Sequence, residues 1–176
     1  RDHQVDINDC CNVRPDRLHD MVDVADTIRR AVSVWSGGTL DVAEIERGTG
    51  TREGQAGWIT VVWTEAFGSY VCGDAHVGSD PGLIRLHPRL AGCRCAGDPG
   101  QVSRWVVMHE VGHAMGFWHT SHTADVMYDT FNACQGDFSA RERLHAAIAY
   151  QRPNGNADPD VDPLNAMPPV STALRV

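Results

Sequence analysis

The chain has 176 residues, 42% of them hydrophobic, and a formal net charge of −8. That is enough for one domain with its own core, and no apolar run reaches the length of a membrane span. The acidic balance argues against nucleic acid or an anionic membrane as a partner, since both need a basic surface.

Residues 1–13 show no periodicity and carry the vicinal pair Cys10–Cys11. From 15 to 35 the apolar residues Leu18, Met21, Val22, Ala25, Ile28, Ala31, Val32 and Trp35 recur at helical spacing, with Pro15 suited to the first turn and Gly37-Gly38 ending the segment. Residues 39–47 alternate as a strand, and 57–65 form an apolar run rich in β-branched and aromatic residues, expected as a central strand. Residues 75–78 and 82–87, split by Ser79-Asp80-Pro81, are predicted as two short strands. A second helix is expected over roughly 101–115, after the break at Pro99-Gly100, and a third over about 139–151. Ser139 and Glu142 form the S-x-x-E capping box that opens the third. Residues 152–176 are rich in Pro, Asn and Asp and are expected to be irregular.

The chemistry is concentrated at 109–119, HEVGHAMGFWH. Residues four apart share a helix face, so His109 and His113 can point at one metal ion. Glu110 is rotated by about 100° from His109 and can act as a general base on a zinc-bound water. Gly116 permits the positive φ that turns the chain out of the helix, and His119 can then supply a third ligand. Three protein ligands leave one position open, as in catalytic rather than structural zinc sites. Met115, Phe117 and Trp118 are expected to pack the core around the motif.

Eight residues after His119 comes Met127, in ADVMYDTF. HExxHxxGxxH followed by a methionine turn resembles the metzincin clan of zinc endopeptidases. The spacing to Met127 and the neighbouring Tyr128 are most similar to the matrixin family, in a bacterial-type form, with the specific likeness covering 102–150. Thr120 and Asp129 stand where matrixins usually have Ser and Pro, and the segment for a second zinc and calcium is not recognisable. The resemblance implies an α+β fold: a twisted mixed sheet, a backing helix, and an active-site helix over a smaller C-terminal subdomain, with zinc in the cleft between them. It implies a catalytic domain over 1–151, with an upper part to about 116 and a lower part over 117–151, followed by the tail 152–176. It further implies a secreted or extracytoplasmic monomer acting as a zinc-dependent endopeptidase on protein or peptide substrates. Met127 would support the metal site from below, and Tyr128 and Phe131 would wall a substrate pocket. Two other classes remain: a catalytically silent zinc-binding domain, which the intact Glu110 argues against, and a non-peptide zinc hydrolase.

Six cysteines, Cys10, Cys11, Cys72, Cys93, Cys95 and Cys134, favour disulfides and export over a thiol metal site, with pairing left open. His122 is expected to face solvent. His76 and His87 lack the partners a structural zinc would need. Asp158, Asp160 and Asp162 alternate, but without the glycine and terminal glutamate of an EF-hand loop a solvated acidic tail comes before calcium.

Overall fold

Helix α1 (Leu18–Trp35) buries Val24, Ala25, Ile28, Ala31, Val32 and Trp35, the residues its 3.6-residue period places on one face. The computed structural model describes residues 4–8, 18–48, 52–67, 71–87, 93, 103–130 and 137–151. Cys10, Cys11, Pro15, Cys95, Phe131, Cys134 and the tail 152–176 lie outside them.

Strands β1 (Gln4–Asn8), β2 (Ile45–Gly48), β3 (Trp58–Trp63), β4 (Gly73–Ala75) and β5 (Gly82–Leu86) make one mixed sheet in the order β2-β1-β3-β5-β4. The β1–β2, β1–β3 and β3–β5 pairs are parallel; β4 runs antiparallel to β5 and forms one edge. β3 is the central strand that its apolar run predicts, with Ile59 and Val61 buried between neighbours on both sides. β1 lies in the segment 1–13, which shows no periodicity, yet five of its residues form a strand held by parallel ladders on both sides. The strand predicted over 39–47 begins only at Ile45.

Helix α2 (Arg104–Ala114) buries every residue from Trp105 to Ala114. It packs on α1 and on β4 and β5, so it has no solvated face and no amphipathic stripe. Ser103 caps it by accepting from the Trp105 amide. The Ser103 amide itself donates to the carbonyl of Cys93, and Cys93 is disulfide-bonded to Cys72, just before β4. The edge strand and the start of α2 are thus cross-linked. Helix α3 (Ala140–Gln151) is opened by the Ser139–Glu142 box, with the Glu142 amide donating to Ser139 Oγ and the Ser139 amide to Glu142 Oε2. Its far end is tied to α2 by the Tyr150 hydroxyl, which donates to the Met115 carbonyl at 2.9 Å.

The interior converges on Gly112. Met127 and Trp35 are fully buried and press against this position from two directions. A Cβ at residue 112 would stand 2.4 Å from Met127 Sδ and 3.0 Å from the Trp35 ring. Trp35 also donates its indole N–H to the Met108 carbonyl at 2.9 Å and holds Phe117 and Phe138 against its ring.

Gly112→Ala should therefore overpack the core. The expected loss is about 1–3 kcal/mol, read as a fall of several degrees in Tm. An unchanged melting temperature would show that Met127 and Trp35 yield without cost.

Candidate active site

The C-terminal half of α2 carries His109 and His113 one turn apart, both buried. At Gly116, where φ is +98°, the chain leaves the helix and brings His119 back over the same point. His119 Nε2 lies 3.2 Å from His109 Nε2 and 3.0 Å from His113 Nε2. The other ring nitrogens are engaged elsewhere: His109 Nδ1 lies 2.6 Å from the Val126 carbonyl and His113 Nδ1 lies 2.9 Å from the Phe117 carbonyl. A carbonyl can only accept, so in both rings Nδ1 carries the proton and Nε2 presents a lone pair to the common point. Trp105 stacks on the His109 ring and fixes its plane.

Burial drives the His109 imidazole down to about 4 and also lowers His113, so both stay neutral, as metal ligands must be. Glu110 is buried beside them, and Gly73 of β4 leaves room for its carboxylate: a Cβ there would stand 3.0 Å from Glu110 Oε1. Glu110 Oε2 is buried without a hydrogen-bond partner among the described residues. Burial, with the charge of Asp74 adding to it, pushes this carboxyl up to about 8.

Beneath the histidines the segment from Thr120 to Tyr128 closes a loop. The Thr120 amide donates to the Met127 carbonyl, and the Met127 amide donates to Glu142 Oε1 at 2.9 Å. Asp125, fully buried, accepts from Thr120, Ser139 and Arg141. Burial pushes its carboxyl up, but these partners outweigh that and hold it below the usual range. Met127 lies against α2 at Gly112.

A cleft of about 400 Å³ opens over the histidines. Its lining includes Gly73, Asp74, His109, Glu110, His113, Trp118, His119 and Asp129. Tyr128 is half-buried and does not line it, although its neighbour Asp129 does; Phe131 lies outside the described residues. His122 is exposed, as expected for a loop. His109, His113 and His119 are the one group of metal-ligating side chains among the described residues, and neither His76 nor His87 joins such a group. Trp118 corrects the expectation that it packs the core: it is 73% exposed, whereas Met115 is buried and Phe117 packs on Trp35. Trp118, Asp74 and Asp129 are thus cleft residues that motif reading passes over. The position of Trp118 beside the third histidine is the one signal that could have marked it.

The model of the peptidase family described as matrixin matches residues 11–147. A comparison with curated proteins found no match.

The shifted groups set a pH dependence for the metal-free protein. Folded Glu110 keeps its proton up to about 8, against about 4.5 when unfolded, so the folded state binds the extra proton between these values. That contribution is full below the lower value and is lost as pH rises through the upper one. The depressed His109 works in the opposite sense, but only below the ordinary histidine value of about 6.5. Urea unfolding of chelator-treated protein should therefore show stability falling between about pH 6.5 and 8.5, with Glu110→Gln flattening the fall. Equal slopes in the two proteins would refute this role for Glu110.

Proposed function

The chain belongs to the matrixin family and is a zinc metalloendopeptidase, and from that premise we propose which of its residues do the work. His109, His113 and His119 would hold the zinc through their Nε2 atoms. The fit rests on three observations: three ring nitrogens converge, burial keeps the His109 and His113 imidazoles neutral, and a buried Glu110 oxygen in the same cleft has no partner among the described residues. When bound, the zinc supplies a Lewis acid that acidifies water and stabilises the negative charge developing on the scissile carbonyl oxygen.

Glu110 is the general base. Its unpartnered Oε2 accepts the proton of the attacking water, and the same carboxyl returns it to the amide nitrogen as the C–N bond breaks. A dication among the histidines favours the ionised carboxylate, opposing the effect of burial. Gly73 admits the carboxylate beside the edge strand, where a side chain would crowd it. His109 and His113 hold no mobile proton, because their N–H groups are committed to carbonyls. Met127 is a support beneath α2 rather than a ligand. The catalytic unit is taken as 1–151, acting as a monomer.

We also propose that the enzyme works outside the cytoplasm. The Cys72–Cys93 disulfide supports this, because such bonds persist in oxidising compartments. None of the described helices is long and apolar enough to cross a membrane.

The single observation that carries the mechanism is the buried Glu110 oxygen without a partner among the described residues, in a side chain that lines the same cleft as the three histidines, and it separates chemistry from metal binding. Zinc-loaded protein incubated with a mixed peptide library should give internal cleavages. Glu110→Gln should keep its zinc by elemental analysis and lose roughly 10²- to 10⁴-fold in kcat, the usual contribution of a positioned general base. His119→Ala should instead lose zinc. A Glu110→Gln protein as active as wild type would remove Glu110 from the mechanism.

A further inference from the structure

The Cys72–Cys93 disulfide joins residues 21 positions apart, and each of its ends lies close to the catalytic groups. On one side, Cys72 directly precedes Gly73, and both line the cleft over the histidines. Gly73 is the residue whose missing side chain leaves room for the Glu110 carboxylate. On the other side, the Cys93 carbonyl accepts from the Ser103 amide at 3.0 Å. Ser103 in turn caps α2 at the Trp105 amide, and the Trp105 ring stacks on His109. The bond therefore links the strand beside the general base to the first turn of the helix that carries His109 and His113.

β4 depends on this bond more than a central strand would. It is three residues long and pairs with β5 alone among the described strands. At its Cys72 end the backbone is held by the His87 amide, which donates to the Cys72 carbonyl at 2.9 Å. The Asp74–Arg85 pair adds little, because both side chains are exposed to solvent. Short edge elements with few bonds are the first to open locally. The histidines are secured differently: the Val126 and Phe117 carbonyls fix two of the rings, and Trp35 and Met127 fill the core at Gly112. None of these residues belongs to β4 or adjoins either cysteine in sequence.

Resting on the reading of this cleft as a peptidase site, we propose that Cys72–Cys93 is a redox gate: the enzyme is competent with the bond closed and loses most of its activity, but not its zinc, when the bond is reduced. The reductant is a low-molecular-weight thiol. Its thiolate attacks one sulfur, forming a mixed disulfide and releasing the other cysteine as a thiolate that takes up a proton. A second thiol then displaces the first, so that two external thiols leave as their disulfide and two cysteine thiols remain. Cys72 is the half-buried partner and Cys93 the wholly buried one, so a thiol gains access at Cys72, on the cleft side. With the bond open, the strand beside Glu110 and the start of α2 lose their common tie, and the spacing between the cleft edge and the general base is no longer fixed. A displacement of about 1 Å at a reacting group can cost about 10²-fold in rate. The chain thus holds zinc in either state but cuts only where the surroundings are oxidising.

The test poises the zinc-loaded full chain in glutathione buffers of graded reduced-to-oxidised ratio. It reads peptide cleavage, zinc by elemental analysis, and the state of each cysteine by alkylation and mass mapping. Toward the reducing end kcat/KM should fall roughly 10- to 10²-fold, in step with alkylation of Cys72 and Cys93. Zinc content and far-ultraviolet circular dichroism should stay unchanged, and reoxidation should restore the rate. The Cys72→Ser, Cys93→Ser double variant should sit at the reduced level in every buffer. Should that variant not fold, the mapped alkylation of wild type still decides, since it ties activity to these two sulfurs without a substitution. Wild-type activity that persists once both cysteines can be alkylated overturns the proposal. So does a double variant as active as oxidised wild type. So does a loss that tracks another cysteine, or one that comes only with loss of zinc, which would make the bond a brace of the fold. Oxidised protein that holds zinc and cleaves nothing at any ratio would sink the peptidase mechanism itself, a failure distinct from these.

Discussion

The absence of a side chain at position 112 lets the two halves of the site meet. Gly112 lies inside the histidine motif, one residue before His113, and the space it leaves is filled by Met127 from below and Trp35 from α1. Both carbonyls that fix the buried histidines depend on these two neighbours. Val126, which receives His109, adjoins Met127 in sequence; Phe117, which receives His113, lies against the Trp35 ring. Ligand orientation is therefore a property of core packing. A close-packed interior passes small shifts on rather than absorbing them, so a change at any of these three residues would reach the histidine rings.

The exposed third histidine cannot be held this way, and its loop is fixed by buried carboxylates instead. Asp125 gathers Thr120, Ser139 and Arg141, while Glu142 divides its oxygens between the Met127 amide and the Ser139 amide. One glutamate thus starts α3 and positions the turn under the metal site. Burying such charges is costly unless every oxygen has partners, and here the partners come from both segments, which locks their relative placement.

The motif itself was readable because ligand chemistry demands fixed residue types at helical spacing, and the Ser139–Glu142 box was readable because capping is local. β3 announced itself by a continuous apolar run. β1 did not: in Gln4–Asn8 an alternation of only two apolar residues is too short a signal, and its strand state depends on parallel partners 40 and 54 positions away, at Ile45 and Ile59, facing Val5. The second bond of Glu142, to Met127, was invisible for the same reason, since nothing local links residues 15 apart. Parity of the cysteines pointed to disulfides, but the choice of Cys93 for Cys72 is made by the fold. Trp118 misled because hydrophobicity predicts burial, whereas the turn at Gly116 and the two anchored neighbours carry that one residue outward.

The sheet ends at β4, three residues long, with its outer side unpaired by any other strand among the described residues. An open edge of this kind accepts only a chain already stretched out, since its amides and carbonyls match no helix or turn. A folded protein that reached the histidines along it would first have to release a segment from its own structure. Its rate of destruction would then be governed by how often that segment opens, and so by the victim's local stability more than by the enzyme's affinity. The same edge is a hazard to its owner, because a second copy could add a strand there. Its brevity, the bare Gly73 and the charged Asp74–Arg85 pair make it a poor template for that. The edge is in this way kept from seeding aggregates of its own chain.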